Sequence, residues 1–88
     1  MKVKVTNISV TDDLYLFMDV DEDGRAGKIS YNLVWEDIND IDGVSYDAEC
    51  AIEDFLFGRV YPVVAEIIKE AAQRIRDELT CFDIDLEV

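Results

Sequence analysis

From Val63 to Leu79 the chain repeats its apolar residues every three or four positions, and any fold it adopts must cover that stripe. Val63, Val64, Ile67, Ile68, Ala71, Ala72, Ile75 and Leu79 line one side of a helix. Glu66, Lys69, Glu70, Gln73, Arg74, Arg76, Asp77 and Glu78 fill the other. Pro62 suits the first turn, where its missing N–H costs nothing. An amphipathic helix of this kind needs a second apolar surface to pack on.

Alternating segments supply that surface. Residues 2–10 read as a strand in which Val3 and Val5 alternate with polar neighbours; Ile8 and Val10 fall on the other parity, so a bulge near Asn7 is expected. Residues 14–20 place Leu14, Leu16, Met18 and Val20 on one face, with Tyr15, Phe17 and Asp19 on the other. Residues 28–35 place Ile29, Tyr31, Leu33 and Trp35 on one face and Ser30, Asn32 and Val34 on the other. The polar segment from Asp21 to Gly27, with two glycines, signals the hairpin between them.

Residues 36–45 are acidic and irregular. Ser45 or Asp47 can cap a helix carrying Ala48, Ile52, Phe55 and Leu56, with Gly58 at its end. In the tail, Phe82, Ile84, Leu86 and Val88 alternate with Cys81, Asp83, Asp85 and Glu87. The expected fold is α+β: one domain over residues 1–88, a four-stranded antiparallel sheet packed by two helices on one face, in the order βββααβ. The last strand must return to the sheet after the long helix, and the edge beside the first strand is one place for it; the strand order stays open.

The charge is the second constraint. Twenty-one acids against eight bases give −13, where a magnitude of ~2–8 already keeps a small domain soluble. Such acidity costs stability by self-repulsion and attracts cationic surfaces. It argues against direct nucleic-acid binding, which needs Lys and Arg on phosphates, and against anionic membrane surfaces. Half the chain is apolar, so it is not a disordered acidic tail.

The acids are concentrated. From Ile29 to Gly58 the chain carries Glu36, Asp37, Asp40, Asp42, Asp47, Glu49, Glu53 and Asp54 and no base. Glu49 and Glu53 repel at i,i+4 spacing. With Ile52 at the centre of the buried face, the outer side of the first helix presents Tyr46, Cys50, Glu53, Asp54 and Phe57. Aromatics among carboxylates suggest an interaction patch with Tyr46 as anchor; the ordinary alternative is that Tyr46 and Phe57 pack at the helix ends. A sheet face bearing Tyr15, Phe17, Val34, Asp19, Asp83, Asp85 and Glu87 would be open if both helices cover the other, and it offers a surface for a homodimer or simply a solvated face.

Catalytic motifs are missing from this sequence. It has no histidine, which removes the commonest general base and nucleophile partner. Cys50 and Cys81 have no metal-ligand or Cys-x-x-Cys spacing. No glycine loop cradles a phosphate. An enzyme is not expected, nor a cofactor. Asp19, Asp21 and Asp23 before Gly24 match the start of a calcium loop, but Ser30 stands where its closing Glu should be; an acidic turn is the simpler reading. The opening residues form no apolar leader and no apolar run approaches a membrane span, so a cytoplasmic protein with free thiols is expected, in host cytoplasm if phage-encoded.

Two functions follow. One is an acidic inhibitor whose carboxylates stand in for phosphates and occupy the basic groove of a nuclease, a CRISPR effector or another nucleic-acid-binding protein. In size and acidity the chain is similar to phage DNA mimics, such as anti-CRISPR, anti-restriction and glycosylase-inhibitor proteins, and to nuclease immunity proteins. The partner-binding residues would be Glu36, Asp37, Asp40, Asp42, Tyr46, Asp47, Glu49, Glu53 and Asp54. The other is a structural or adaptor domain, stapled by calcium at Asp19, Asp21 and Asp23 or not at all.

Overall fold

The computed structural model describes residues 2–66 and 68–86. Among these residues five antiparallel strands form one sheet: β1 (Lys2–Val10), β2 (Tyr15–Glu22), β3 (Arg25–Asn32), β4 (Asp37–Asp42) and β5 (Phe82–Asp85). Their spatial order is β4-β3-β2-β1-β5. Among the described residues three helices lie between β4 and β5 in sequence: α1 (Tyr46–Arg59), α2 (Tyr61–Val64) and α3 (Ile68–Glu78). The α+β class and antiparallel sheet are as expected, and the last strand, whose position was open, pairs with β1. The four strands, two helices and element order βββααβ are corrected to five, three and ββββαααβ.

The hairpins follow their local chemistry. Asp23 and Gly24 both have positive φ, 51° and 89°, between the paired residues Glu22 and Arg25, the arrangement of a two-residue turn matched to strand twist. Between β1 and β2 the turn closes with Leu14 at φ 61°, held by the Thr11 hydroxyl, which accepts from the Tyr15 amide at 3.0 Å. The expected bulge is present: the β1–β2 register shifts between Thr6 and Ser9, with Asn7 at φ 53°.

The third strand ends at Asn32 and does not reach Trp35. The Asn32 side-chain oxygen accepts from the amides of Val34 and Trp35, both at 3.0 Å. This local turn competes with the ladder and bends the chain away. Leu33 stays buried, whereas Trp35 is 79% exposed and leaves the core face it was expected to share.

The segment read as irregular is β4. Ile38 and Ile41 pair opposite Tyr31 and Ile29; Ile38 packs on the core, while Ile41 stays 37% exposed. The register shift between Ser30 and Tyr31 leaves Asn39 as an extra residue, so the two isoleucines sit three apart and the alternation is hidden.

The expected long helix is two helices. Val60, Val63 and Val64 are β-branched and weaken helical continuity. After Val64 the bonds tighten: the Glu66 amide donates to the Val63 carbonyl at 3.0 Å. Gly58 lies inside α1 and does not end it. Of the predicted stripe, Val63, Ala71, Ala72, Ile75 and Leu79 are buried and Val64 is half-buried; the side chains of Ile67 and Ile68 lie outside the described residues.

Helices cover one sheet face. Val3, Val5, Leu16, Met18, Val20, Ile29 and Tyr31 point into a single core with Ala48, Ile52 and Leu56 of α1. Phe55 of α1 stacks on Phe82 of β5, ring centroids 4.1 Å apart. Arg76 of α3 donates twice to the Val10 carbonyl, at 2.9 and 2.7 Å. Glu22 is buried at the end of β2; its carboxylate accepts from the Ser45 amide at 3.0 Å, while the Ser45 hydroxyl accepts from the Ala48 amide at 3.2 Å. The start of α1 is thereby tied to the sheet. Among the described residues no helix is long and apolar enough to cross a membrane.

Candidate functional site

Seven of the eight acids between Ile29 and Gly58 fall on two surfaces, and Asp47 lies apart from both. Glu36 sits in the β3–β4 turn at φ 54°. Asp37, Asp40 and Asp42 are on β4, an edge strand. Asp47, Glu49, Glu53 and Asp54 are on α1.

The first surface is a cleft where α1 and α2 meet the β3–β4 turn. Glu36, Glu53 and Asp54 line it with Tyr31, Phe57 and Tyr61. Tyr31, on β3, is 3% exposed and forms the floor; Phe57, on α1, is 65% exposed and forms the rim. The Phe57 and Tyr61 rings meet edge to face, 5.3 Å between centroids. The Tyr61 hydroxyl donates to the Tyr31 hydroxyl. Burial pushes both phenols above their ordinary range and so disfavours their ionisation, with the shared hydrogen bond adding to the effect on Tyr61 and opposing it on Tyr31.

Glu53 is half-buried, and burial pushes its carboxyl above the ordinary range; Glu49, Asp37 and Asp54 push in the same direction. Charges from α1 and from the start of β4 thus converge on one side chain. Among the described residues, the ion pairs of this chain lie elsewhere: Arg25 with Glu22, Arg74 with Glu66, and Arg76 with Asp12. Arg59, the base nearest in sequence, lies over the Phe55 ring, 5.5 Å from its centroid.

The second surface is the sheet face away from the helices. Cross-strand pairing aligns Asp19, Lys28 and Asp42 in one row. Phe17, Ser30 and Asp40 form the next, and a shallow hollow runs between the rows. Phe17 is 44% exposed. Tyr15 stacks beside it, 6.5 Å between centroids. At the opposite edge Asp83 and Asp85 pair in register with Lys4 and Lys2. Of the residues assigned to this face from sequence, Val34 lies in the turn beyond β3, and Glu87 lies outside the described residues.

Tyr46 and Phe57 are exposed, so they do not bury themselves at the helix ends. Tyr46, 75% exposed, lies beside Cys50, whose thiol holds the phenol above its usual range. Asp47 is exposed in the first turn of α1, where a carboxylate suits the helix dipole.

The structure thus brings Glu36, Asp37, Glu49, Glu53 and Asp54 together, and separately Asp40 and Asp42 with Asp19. It does not draw Asp47 into either group. Tyr31 and Tyr61 were missed from sequence as site residues: Tyr31 fits a core stripe, and Tyr61 precedes Pro62 with no pattern of its own. Trp35 was assigned to the core.

The candidate calcium ligands are engaged separately. Asp19 accepts from the Asn7 side chain at 2.8 Å, Asp21 from the Gly24 amide at 2.7 Å, and Asp23 from the Lys2 amide at 3.1 Å. Among the described residues no group of three His, Cys, Asp or Glu side chains is arranged to hold a metal ion. Cys50 is half-buried and Cys81 exposed, both as free thiols.

No protein-family model matches the chain, and neither a curated protein nor a solved structure is significantly similar to it.

Proposed function

We propose that this protein is an acidic inhibitor that occupies the basic nucleic-acid-binding surface of another protein. One observation carries the reading: Glu49, Glu53 and Asp54 of α1, Glu36 of the β3–β4 turn and Asp37 at the start of β4 adjoin one another, and none of them has an ion-pair partner among the described residues. Carboxylates about one helical turn apart lie ~5–6 Å from each other, comparable with neighbouring backbone phosphates. Like-charge crowding is unfavourable for the isolated fold and becomes favourable only against a cationic surface. A nuclease, a CRISPR effector or a restriction enzyme presents such a surface, so a phage counter-defence protein and a nuclease immunity protein use the same physics.

The test is retention of proteins from nuclease-treated bacterial lysate on the immobilised chain, eluted by a rising salt gradient and identified by mass spectrometry. A nucleic-acid-handling partner should elute as salt rises and be displaced by duplex DNA. A variant combining Asp40→Lys, Asp42→Lys and Asp54→Lys, all at exposed positions, should fold and lose that partner. A partner that resists salt, or one the triple variant retains equally well, would overturn the reading in favour of an adaptor domain.

A further inference from the structure

We infer that the cleft between α1, α2 and the β3–β4 turn receives an arginine side chain of the partner protein. The identity of that partner rests on the proposed function; the cleft itself does not. It is an open hollow of about 180 Å³, more than tenfold the ~10–15 Å³ that a single water requires, so it admits a side-chain head group.

Its lining selects the charge and shape of the guest. Three rings, Tyr31, Phe57 and Tyr61, form the floor and one wall, while Glu36, Glu53 and Asp54 supply carboxylates. Rings beside carboxylates hold a cation through the face of the π-system and by ion pairing together. The carboxylates already repel one another around the half-buried Glu53, and none of the three has an ion-pair partner among the described residues. A bound cation would relieve that repulsion.

Arginine fits better than lysine. The guanidinium is planar, so it can lie against Phe57 or Tyr61 while its fork of N–H groups reaches two carboxylates. An ammonium is a more strongly hydrated point charge and gains less from a ring. Phe57 is free to serve as the lid, since it is exposed and touches only Tyr61 among the described rings. On a basic nucleic-acid-binding groove, arginine is the side chain that most often holds phosphate through two parallel bonds. The cleft would capture the same group with carboxylates in place of phosphate.

The experiment is titration of isotope-labelled protein with Nα-acetyl-arginine amide at low salt, followed by amide chemical shifts. The lysine and citrulline analogues serve as controls. Saturable shifts should centre on Tyr31, Glu36, Glu53, Asp54, Phe57 and Tyr61. The lysine analogue should bind several-fold more weakly and citrulline not measurably. Phe57→Ala should weaken arginine binding about threefold, and Glu53→Gln combined with Asp54→Asn by more than tenfold. Shifts spread equally over Asp83 and Asp85, equal affinity for lysine, or unchanged binding by Phe57→Ala would overturn the assignment. The two readings fail separately. Arginine binding in a chain that retains no nucleic-acid-handling protein defeats the proposed function alone. A salt-sensitive partner with no arginine binding defeats the cleft alone.

Discussion

Removing the Glu22 side chain should cost more stability than removing any exposed acid. Glu22 is 1% exposed. One carboxylate oxygen accepts from the Ser45 amide at 3.0 Å and the other from Arg25 at 3.3 Å. The Ser45 hydroxyl and amide together hold its carboxyl below the usual range, against the opposing effect of burial. Glu22→Ala leaves the Ser45 amide without its acceptor, a loss of ~1–3 kcal/mol. Deleting the buried side chain adds ~1 kcal/mol of lost packing. The sum is about 2–4 kcal/mol, large against the ~5–15 kcal/mol that holds a typical domain together. At ~4–8 °C per kcal/mol for a domain of this size, Tm should fall by roughly 8–32 °C. Glu22→Gln keeps the shape and one acceptor but weakens charge-assisted bonds, for a loss of ~1 kcal/mol. Urea denaturation followed by circular dichroism measures both. A lowered carboxyl stabilises above its unfolded value of 4.5 and loses that contribution as pH falls through the folded value. The gap between wild type and Glu22→Gln should therefore be full at pH 7 and close progressively below pH 4.5. A gap that stays constant at acid pH, or a Glu22→Ala variant as stable as wild type, would refute the reasoning.

Two other substitutions test the surroundings of the site. Glu53→Gln should stabilise the fold at neutral pH by ~0.3–1 kcal/mol, because it removes a half-buried charge and its i,i+4 repulsion from Glu49; its carboxyl is raised above 4.5, so the gain should vanish in urea melts below that pH. Gly27→Ala should destabilise by ~1–3 kcal/mol in thermal melts, since its new Cβ would lie 2.7 Å from the Asp42 carbonyl oxygen and from the Val44 side chain, closer than packed atoms tolerate.

The elements that could be read from sequence are those whose side chains alternate without interruption. Leu16, Met18 and Val20 occupy one face of β2, and Phe82 and Ile84 one face of β5, which spans Phe82–Asp85 of the alternation read over 81–88; Glu87 and Val88 lie outside the described residues. The bulge near Asn7 is legible because two clean alternations of opposite parity meet there. Strand β4 is not, for the same kind of reason: its bulge puts Ile38 and Ile41 three residues apart, and Asp and Asn have low strand propensity. Trp35 looks like the next member of the β3 stripe; only the Asn32 side chain, by capping two amides, sends it to solvent. The outer face of α1 was visible as a mixture of aromatics and acids. That Tyr31 and Tyr61 close a cleft against it depends on packing between residues thirty positions apart, which no local pattern records.

Two explanations compete for the acids between Ile29 and Gly58, and the structure assigns them different residues. Edge strands are commonly protected by charges that prevent pairing with another sheet. That reason applies to Asp37, Asp40 and Asp42, which lie on the edge strand β4, alongside any role in binding. It does not reach α1, which has no open backbone edge to protect. Asp47 is accounted for by the helix dipole in the first turn, and Glu49 gains from it as well. Glu53 and Asp54 lie beyond that first turn. Glu53 pays for its position in desolvation and in repulsion from three other carboxylates, beside two phenols and an exposed phenyl ring. A surface chosen for solubility alone would set a lysine or arginine among these groups. Folding gives no reason for its omission at this cleft, whereas a cationic guest does.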